Sequence, residues 1–242
     1  MRVEEEKLEL TIFDDPFPIT IINNFYNDYE LSLIWEELNF LTKPGKLVPP
    51  DDYGGIPDYT EAKALQLDSL YKNRNISNIL TVNRKLFKSG VLKEFSKIHG
   101  CCSIADRSNW DITKVRYYHD GEYYDPHVDC SMQFLAFSYF HKEPKKFDGG
   151  KLIFPDYGLD LPCDNNSMVI FPGWVRHGVE KVSILNSDYY DGYGRYAITS
   201  FFGCQDRSIR NNNKKNKKKV CCHSGCSDCP FEEGLDKSVK TL

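Results

Sequence analysis

The 242 residues suffice for one generous domain, or for a domain with an appendage, and a 40% hydrophobic content with 14% aromatics is enough to bury a sizeable core. A formal net charge of −4 gives the whole molecule no nucleic-acid signature. No stretch approaches the ~20 apolar residues of a membrane span, and Met1-Arg-Val-Glu-Glu-Glu-Lys has no apolar h-region, so a soluble, cytoplasmic protein is expected. Nine cysteines, an odd number that includes the vicinal pairs Cys101-Cys102 and Cys221-Cys222, make a poor disulfide framework and point to a reducing compartment.

In chain order, residues 1–100 read mostly as helix, and 1–108 as a whole form a helical and strand support for the core that comes after them. Asn27-Asp-Tyr-Glu30 has the form of a capping box, and behind it Leu31, Ile34, Trp35 and Leu38 fall on one apolar stripe. Ser77 stands before Ile79, Val82, Leu86 and Phe87 at similar spacing, and Val91, Phe95 and Ile98 predict a third short helix. Between the first two, Pro49-Pro-Asp-Asp-Tyr-Gly-Gly-Ile-Pro57 is a loop of turn formers, either a lid over a site or a surface connector.

From about residue 110 the pattern changes to short β runs bounded by turn residues: 113–118, 123–129, 132–140, 151–154, 167–171, 175–182 and 195–202. Many short strands without intervening helices favour a sandwich or jelly roll, with the earlier helices covering one face. This core is assigned to 109–207. Residues 208–220, with five lysines between 214 and 219, are polar, basic and without apolar periodicity, as in a flexible linker with at most a weak anionic or nucleic-acid contact. Residues 221–242 open on a compact cluster, Cys221, Cys222, Cys226 and Cys229, for which thiolate zinc binding is the leading chemistry. The spacing of Cys222, Cys226 and Cys229 coincides with a radical S-adenosylmethionine motif, but no barrel accompanies it.

The chemistry lies in Tyr118-His-Asp-Gly121-Glu-Tyr-Tyr124-Asp-Pro-His127-Val-Asp129, followed by His177 and Arg195. Residues i and i+2 of a strand project from one face, so His127 and Asp129 can hold one metal together. His177 from another strand would complete a two-histidine, one-carboxylate triad, which leaves adjacent positions open and is characteristic of non-haem Fe(II) oxygenases.

Four segments resemble the catalytic domain of the Fe(II)/2-oxoglutarate-dependent dioxygenases, nearest the prolyl-4-hydroxylase branch. They are Tyr118-x-x-Gly121-x-x-Tyr124-x-x-His127-x-Asp129, Gly149-Gly150-Lys-Leu-Ile-Phe154-Pro155, Ser167-Met-Val-Ile-Phe171-Pro172 with His177-Gly-Val, and Arg195-Tyr-Ala-Ile-Thr199. The resemblance implies a mainly β double-stranded β-helix of jelly-roll type with flanking N-terminal helices. It implies Fe(II) on His127, Asp129 and His177, and 2-oxoglutarate held at its distal carboxylate by Arg195 and Tyr118, with Thr199 assisting. The interval from His177 to Arg195 exceeds the family's usual one, and the surplus is the turn-rich stretch 185–194. Lys181 is an alternative anchor without the Arg-x-x-x-Thr context.

The implied activity is hydroxylation of a prolyl residue in a peptide or protein, with release of succinate and CO2 and with ascorbate as reductant. Hydroxylation of another residue or of a free amino acid is the nearest alternative. Oxidative demethylation of nucleic acid would call for a second arginine where this chain has Phe201. A non-catalytic jelly-roll binding module would have no need of Arg195.

Overall fold

The structure is a computed structural model that describes residues 8–129 and 131–205. The chain forms two units, Met1–Cys204 and Gln205–Leu242, and every strand and helix named here belongs to the first. The basic stretch and the cysteines at 221, 222, 226 and 229 lie outside the described residues.

Two strands, β1 (Glu9–Phe13) and β2 (Ile19–Asn23), precede the first helix, so the N-terminal hundred residues are less helical than the sequence suggests. Runs of five residues are too short for a helical period to be told from a buried strand, and pairing with the main sheet decides the outcome. Helix α1 (Asp28–Leu41) begins at the predicted capping box. Asn27 Oδ1 accepts from the Glu30 N–H and Glu30 Oε2 accepts from the Asn27 N–H, both at 2.9 Å. The apolar stripe works as expected, with Ile34 and Leu38 buried and Leu31 and Trp35 packed partly against the same core.

Helix α2 (Pro50–Tyr53), strand β3 (Ala64–Gln66) and helix α3 (Leu67–Leu70) come next. Helix α4 (Asn78–Val82) is capped by Ser77, whose hydroxyl accepts from the Leu80 N–H at 3.0 Å. It tightens into a 3-10 turn over Asn83–Phe87, where the Asn83 side chain turns inward to the hydroxyls of Tyr26 and Ser200. Helix α5 (Val91–Phe95) completes the layer.

The remaining strands are β4 (Trp110–Tyr118), β5 (Tyr124–His127), β6 (Phe134–Phe140), β7 (Phe147–Gly149), β8 (Leu152–Phe154), β9 (Leu159–Leu161), β10 (Ser167–Pro172), β11 (His177–Val179), β12 (Val182–Ile184) and β13 (Arg195–Gly203). Each predicted run contains a strand, but 175–182 divides into β11 and the start of β12. The three-residue strands β7 and β9 carry too little pattern to stand out in the sequence. All pairings are antiparallel, in a seven-stranded sheet β1-β2-β10-β6-β13-β4-β3, a four-stranded sheet β5-β11-β8-β9 and the pair β12-β7. This is the jelly roll that the sequence leads one to expect.

Two cores flank the large sheet. On one face Tyr117, Phe134, Tyr196, Ile198 and Phe202 meet Ile34, Leu38, Leu80 and Phe95 of the helices. On the other, Tyr118, Phe137, Tyr139, Ala197 and Phe201 meet Leu152, Phe154 and Val179 of the smaller sheet. Strand β13 is therefore buried along its whole length, Arg195, Thr199 and Ser200 included. The helical layer seals one face and leaves the other for the site.

Phe95 is fully buried, edge-on to Phe134 with ring centroids 5.6 Å apart. Phe95→Ala should lower unfolding free energy by about 3–5 kcal/mol in urea titrations. A loss below ~1 kcal/mol would show that the helices contribute little to holding the sheet.

Candidate active site

Strands β5 and β11 are hydrogen-bonded neighbours, and His127 and His177 are partners in register across them. Strand β5 ends at His127, so Asp129 does not share its strand face as the i, i+2 spacing suggests. The carboxylate is instead set by irregular backbone. The Asp129 N–H donates to the Gly173 carbonyl at 2.9 Å, and the Asp129 carbonyl accepts from the Met132 N–H at 2.8 Å. The result brings all three residues together. One ligand atom from each lies within 4.8 Å of the others, with Asp129 Oδ2 at 3.6 Å from His177 Nε2 and 3.9 Å from His127 Nε2.

Both imidazoles are oriented by the backbone two residues earlier. His127 Nδ1 donates to the Asp125 carbonyl at 2.8 Å, and His177 Nδ1 to the Val175 carbonyl at 2.9 Å. Those bonds fix the tautomer that leaves each Nε2 with a free lone pair toward Asp129. Tyr124 stacks on the His127 ring at 4.2 Å, while Phe137 and Phe171 stand edge-on to His177. Burial, reinforced by His127, pulls the His177 pKa down to about 3, so it is neutral at working pH. Burial pushes the Asp129 carboxyl up, and His127, Lys114 and Arg116 oppose that shift.

A second group sits on the same side of the large sheet. Arg195 is 2% exposed, its Nε donates to the Gly150 carbonyl at 2.7 Å, and its guanidinium lies 4.3 Å from the centre of the Tyr118 ring. Tyr139 stands next in register beside Ala197, with its ring 5.3 Å from the same guanidinium. Arg195 Nη1, Tyr139 Oη and Thr199 Oγ1 are all buried with no hydrogen-bond partner among the described residues. An unsatisfied buried donor costs roughly 1–3 kcal/mol, so Arg195 and Tyr139, close together on this sheet face, leave a polar recess suited to an acceptor group, while Thr199 lies further along β13, opposite Lys114 in register.

A cavity of about 250 Å³ opens on the triad. It is lined by the triad together with Tyr118, Phe137 and Thr199. Arg195 does not line it directly, but Tyr118, over whose ring it lies, does. The loop at 49–57 forms part of the wall through Tyr53, Gly54 and Ile56, so it is more than a connector. The stretch 185–194 is placed elsewhere, with Tyr189 and Tyr190 packed on Tyr117 and His119, and none of its residues lines the cavity.

Three cavity or recess residues were missed in the sequence. Tyr139 is the only phenol within the predicted 132–140 run, and its period-2 position relative to Phe137 was the available signal. Lys114 and Arg116 precede Tyr118 at the same spacing, which places all three on one face of β4, and all three line the cavity. Burial, and then neighbouring Arg116, pull the Lys114 ammonium down to about 8, with Asp129 acting the other way.

Residues 113–203 match the sequence model of the 2OG-Fe(II) oxygenase superfamily. That segment is similar to this superfamily. The fold of the chain agrees with solved structures at low identity. A Trichoplax adhaerens prolyl hydroxylase in complex with a hypoxia-inducible-factor peptide fragment is 16% identical, with a TM-score of 0.53 over 80% of this chain and 86% of that one. A Pseudomonas putida prolyl-4-hydroxylase is 15% identical, with a TM-score of 0.50 over 78% and 93%. A Burkholderia pseudomallei oxidoreductase of the 2OG-Fe(II) oxygenase family is 13% identical, with a TM-score of 0.51 over 76% and 84%. No curated protein matches the chain.

The superfamily implies Fe(II) and 2-oxoglutarate, and the donors of this site fit both. Two imidazoles and a carboxylate suit ferrous iron, and the unpartnered Arg195 and Tyr139 donors suit a carboxylate. Among the described residues no helix is long and apolar enough to cross a membrane.

Gly150 has φ +68°, and a Cβ there would stand 2.6 Å from Arg195 Cδ. Gly150→Ala therefore combines backbone strain of about 1–2 kcal/mol with displacement of the Arg195 side chain. It should raise the 2-oxoglutarate KM severalfold with little change in iron affinity. An unchanged KM in the folded variant would separate Arg195 from cosubstrate binding.

Proposed function

We propose that this chain hydroxylates a prolyl residue in a peptide or protein, with His127, Asp129 and His177 as the Fe(II) ligands and Arg195, Tyr118 and Thr199 holding the distal carboxylate of 2-oxoglutarate. The observation that carries the reading is the adjacency of two sites: a triad with its lone pairs convergent, and beside it a buried guanidinium, phenol and threonine hydroxyl without an acceptor. An isolated metal site would need no such recess. A guanidinium offers a permanently charged fork for a carboxylate, and its rigidity here comes from the Gly150 carbonyl and the Tyr118 ring.

When bound, iron and 2-oxoglutarate supply the oxidising power, with O2 consumed and succinate and CO2 released as one oxygen atom enters the substrate's hydroxyl. The protein's own residues position and shield. The Asp125 and Val175 carbonyls keep the Nδ1 protons of both histidines in place, so Nε2 remains a ligand. Phe137 and Phe171 exclude water from the buried side of His177, which strengthens every charged contact in the site. Tyr139 adds a donor close to Arg195.

Prolyl specificity draws support from the two structurally similar prolyl hydroxylases, whose likeness speaks for the fold, and from a cavity small enough to admit a single side chain beside the cosubstrate. The same reading takes ascorbate as the reductant that keeps iron ferrous, by the chemistry of the class. It takes zinc as the metal held by the cysteines at 221, 222, 226 and 229, by their thiolate donors.

Anaerobic addition of Fe(II) and 2-oxoglutarate should produce a visible charge-transfer band that His127→Ala abolishes. Arg195→Lys should keep the iron yet weaken 2-oxoglutarate about tenfold or more, because a charge-assisted hydrogen bond contributes ~1.5–3 kcal/mol. Succinate release should then be stimulated by proline-containing peptides. Stimulation by free amino acids or non-prolyl peptides alone would move the substrate assignment and leave the oxygenase intact.

A further inference from the structure

Lys114 and Arg116 have no part in that assignment, yet both point into the cavity from the strand that carries Tyr118. Arg116 is 5% exposed, and among the described residues neither cation forms an ion pair with a carboxylate. Their contacts hold them without neutralising them. Arg116 Nη1 donates to the Tyr53 hydroxyl at 2.8 Å, and its guanidinium lies 4.8 Å from the Tyr53 ring centre and 5.1 Å from that of Tyr124. Lys114 Nζ reaches the Gly54 carbonyl at 3.4 Å and lies 5.2 Å from the Tyr53 and 5.1 Å from the Phe201 ring centres.

An unpaired charge removed from water is costly, and proteins keep one where a ligand completes it. The obvious internal counter-ion is Asp129, but its carboxylate belongs to the metal triad, and a bound divalent ion would make the cavity more positive still. Ile56, Ile112, Met132, Phe137 and Phe201 supply apolar lining, so the field of the two cations is poorly screened. Arg195 is committed elsewhere, to the Gly150 carbonyl and the Tyr118 ring.

We propose that Lys114 and Arg116 form a substrate-recognition subsite for a carboxylate carried close to the carbon that is hydroxylated. This inference rests on the proposed oxygenase activity and deepens it, by making the substrate acidic. The carboxylate comes from an aspartyl or glutamyl side chain beside the target residue, or from the α-carboxylate of a C-terminal residue or free amino acid. Two cations two residues apart on one strand face span a single carboxylate group, with the tyrosine rings of Tyr53 and Tyr124 keeping the Arg116 fork in one plane.

The test pairs binding with turnover on the full chain. Binding is measured by fluorescence anisotropy on the Mn(II)/2-oxoglutarate form, using labelled capped peptides in which the residues flanking proline are aspartate, asparagine or lysine. A peptide ending in a free prolyl carboxylate and its amide form the second arm, with unlabelled L-proline as competitor. The expected result is at least about tenfold tighter binding for one acidic arm than for its neutral partner. Lys114→Gln and Arg116→Gln should each erase that preference, and Lys114→Glu should turn it toward the lysyl peptide. Because Arg116 is buried, the more accessible Lys114 variants keep the test decisive if Arg116→Gln does not fold.

Equal affinity for acidic, neutral and basic peptides, or no binding of any, overturns the subsite, as does a preference that survives the Lys114 variants. Loss of the Fe(II)/2-oxoglutarate charge-transfer band in folded Lys114→Gln would assign the cations to the cosubstrate and overturn it too. Tight binding of acidic peptides without succinate release supports the subsite while refuting the prolyl assignment. Hydroxylation of prolyl peptides regardless of charge does the reverse.

Discussion

The site depends on the contact between two short strands. Pairing of β5 with β11 puts His127 opposite His177, and nothing else in the described chain would bring residues fifty positions apart to one ion. The approach is close enough that a Cβ on Gly178 would stand 2.8 Å from the Tyr124 carbonyl oxygen. Glycine after the histidine is thus a steric requirement of the pairing. The two Nδ1 bonds to carbonyls at i−2 then orient the rings, so a pairing of two strands yields both the position of the ligands and their tautomers.

A division of labour between the two faces of the large sheet results. Odd-numbered residues of β4 and even-numbered residues of β13 point to the helices and build an apolar core, while Lys114, Arg116 and Tyr118 of β4 and Arg195 and Thr199 of β13 point the other way. Alternation along a strand makes this separation automatic. Stability can therefore come from the helical side, where substitutions act as they do in any packed core, and the charged side can carry groups that no packing argument would select.

The sequence made the candidate metal triad legible because imidazole and carboxylate at a short spacing, with glycines and aromatics around them, have few other uses. The α1 capping box was equally plain, since its two reciprocal bonds join residues only three apart. Asp129 illustrates what local spacing leaves out. It meets the histidines as expected, but its carboxylate is set by the Gly173 carbonyl, a partner 44 positions away that no periodicity reveals. Lys114, Arg116 and Tyr139 were passed over for a related reason. A lysine in a strand is ordinarily a solvated residue and a tyrosine in an apolar run is ordinarily core, and only the second sheet, folded over them, makes their positions chemical. The N-terminal strands β1 and β2 were obscured by brevity, and by a pairing that reaches β10 almost 150 residues later.

The charges of the interior are best understood as a set. Three cations occupy the same side of the large sheet, and the only carboxylate of the triad is claimed by the metal position. Each cation is held by tyrosine rings and by carbonyl or hydroxyl oxygens, partners that orient a charge without cancelling it. Anions entering such an interior would be bound by the same side chains that pack it, so ligand binding would stabilise the fold. Arg195 lies at one end of the arrangement, opposite Tyr118 in register and with Tyr139 near its guanidinium, and Lys114 lies toward the other, opposite Thr199, with Tyr53 beside both Lys114 and Arg116. Two separate foci of positive charge call for two anionic groups, and a single anion held at Arg195 would leave Lys114 and Arg116 unmatched.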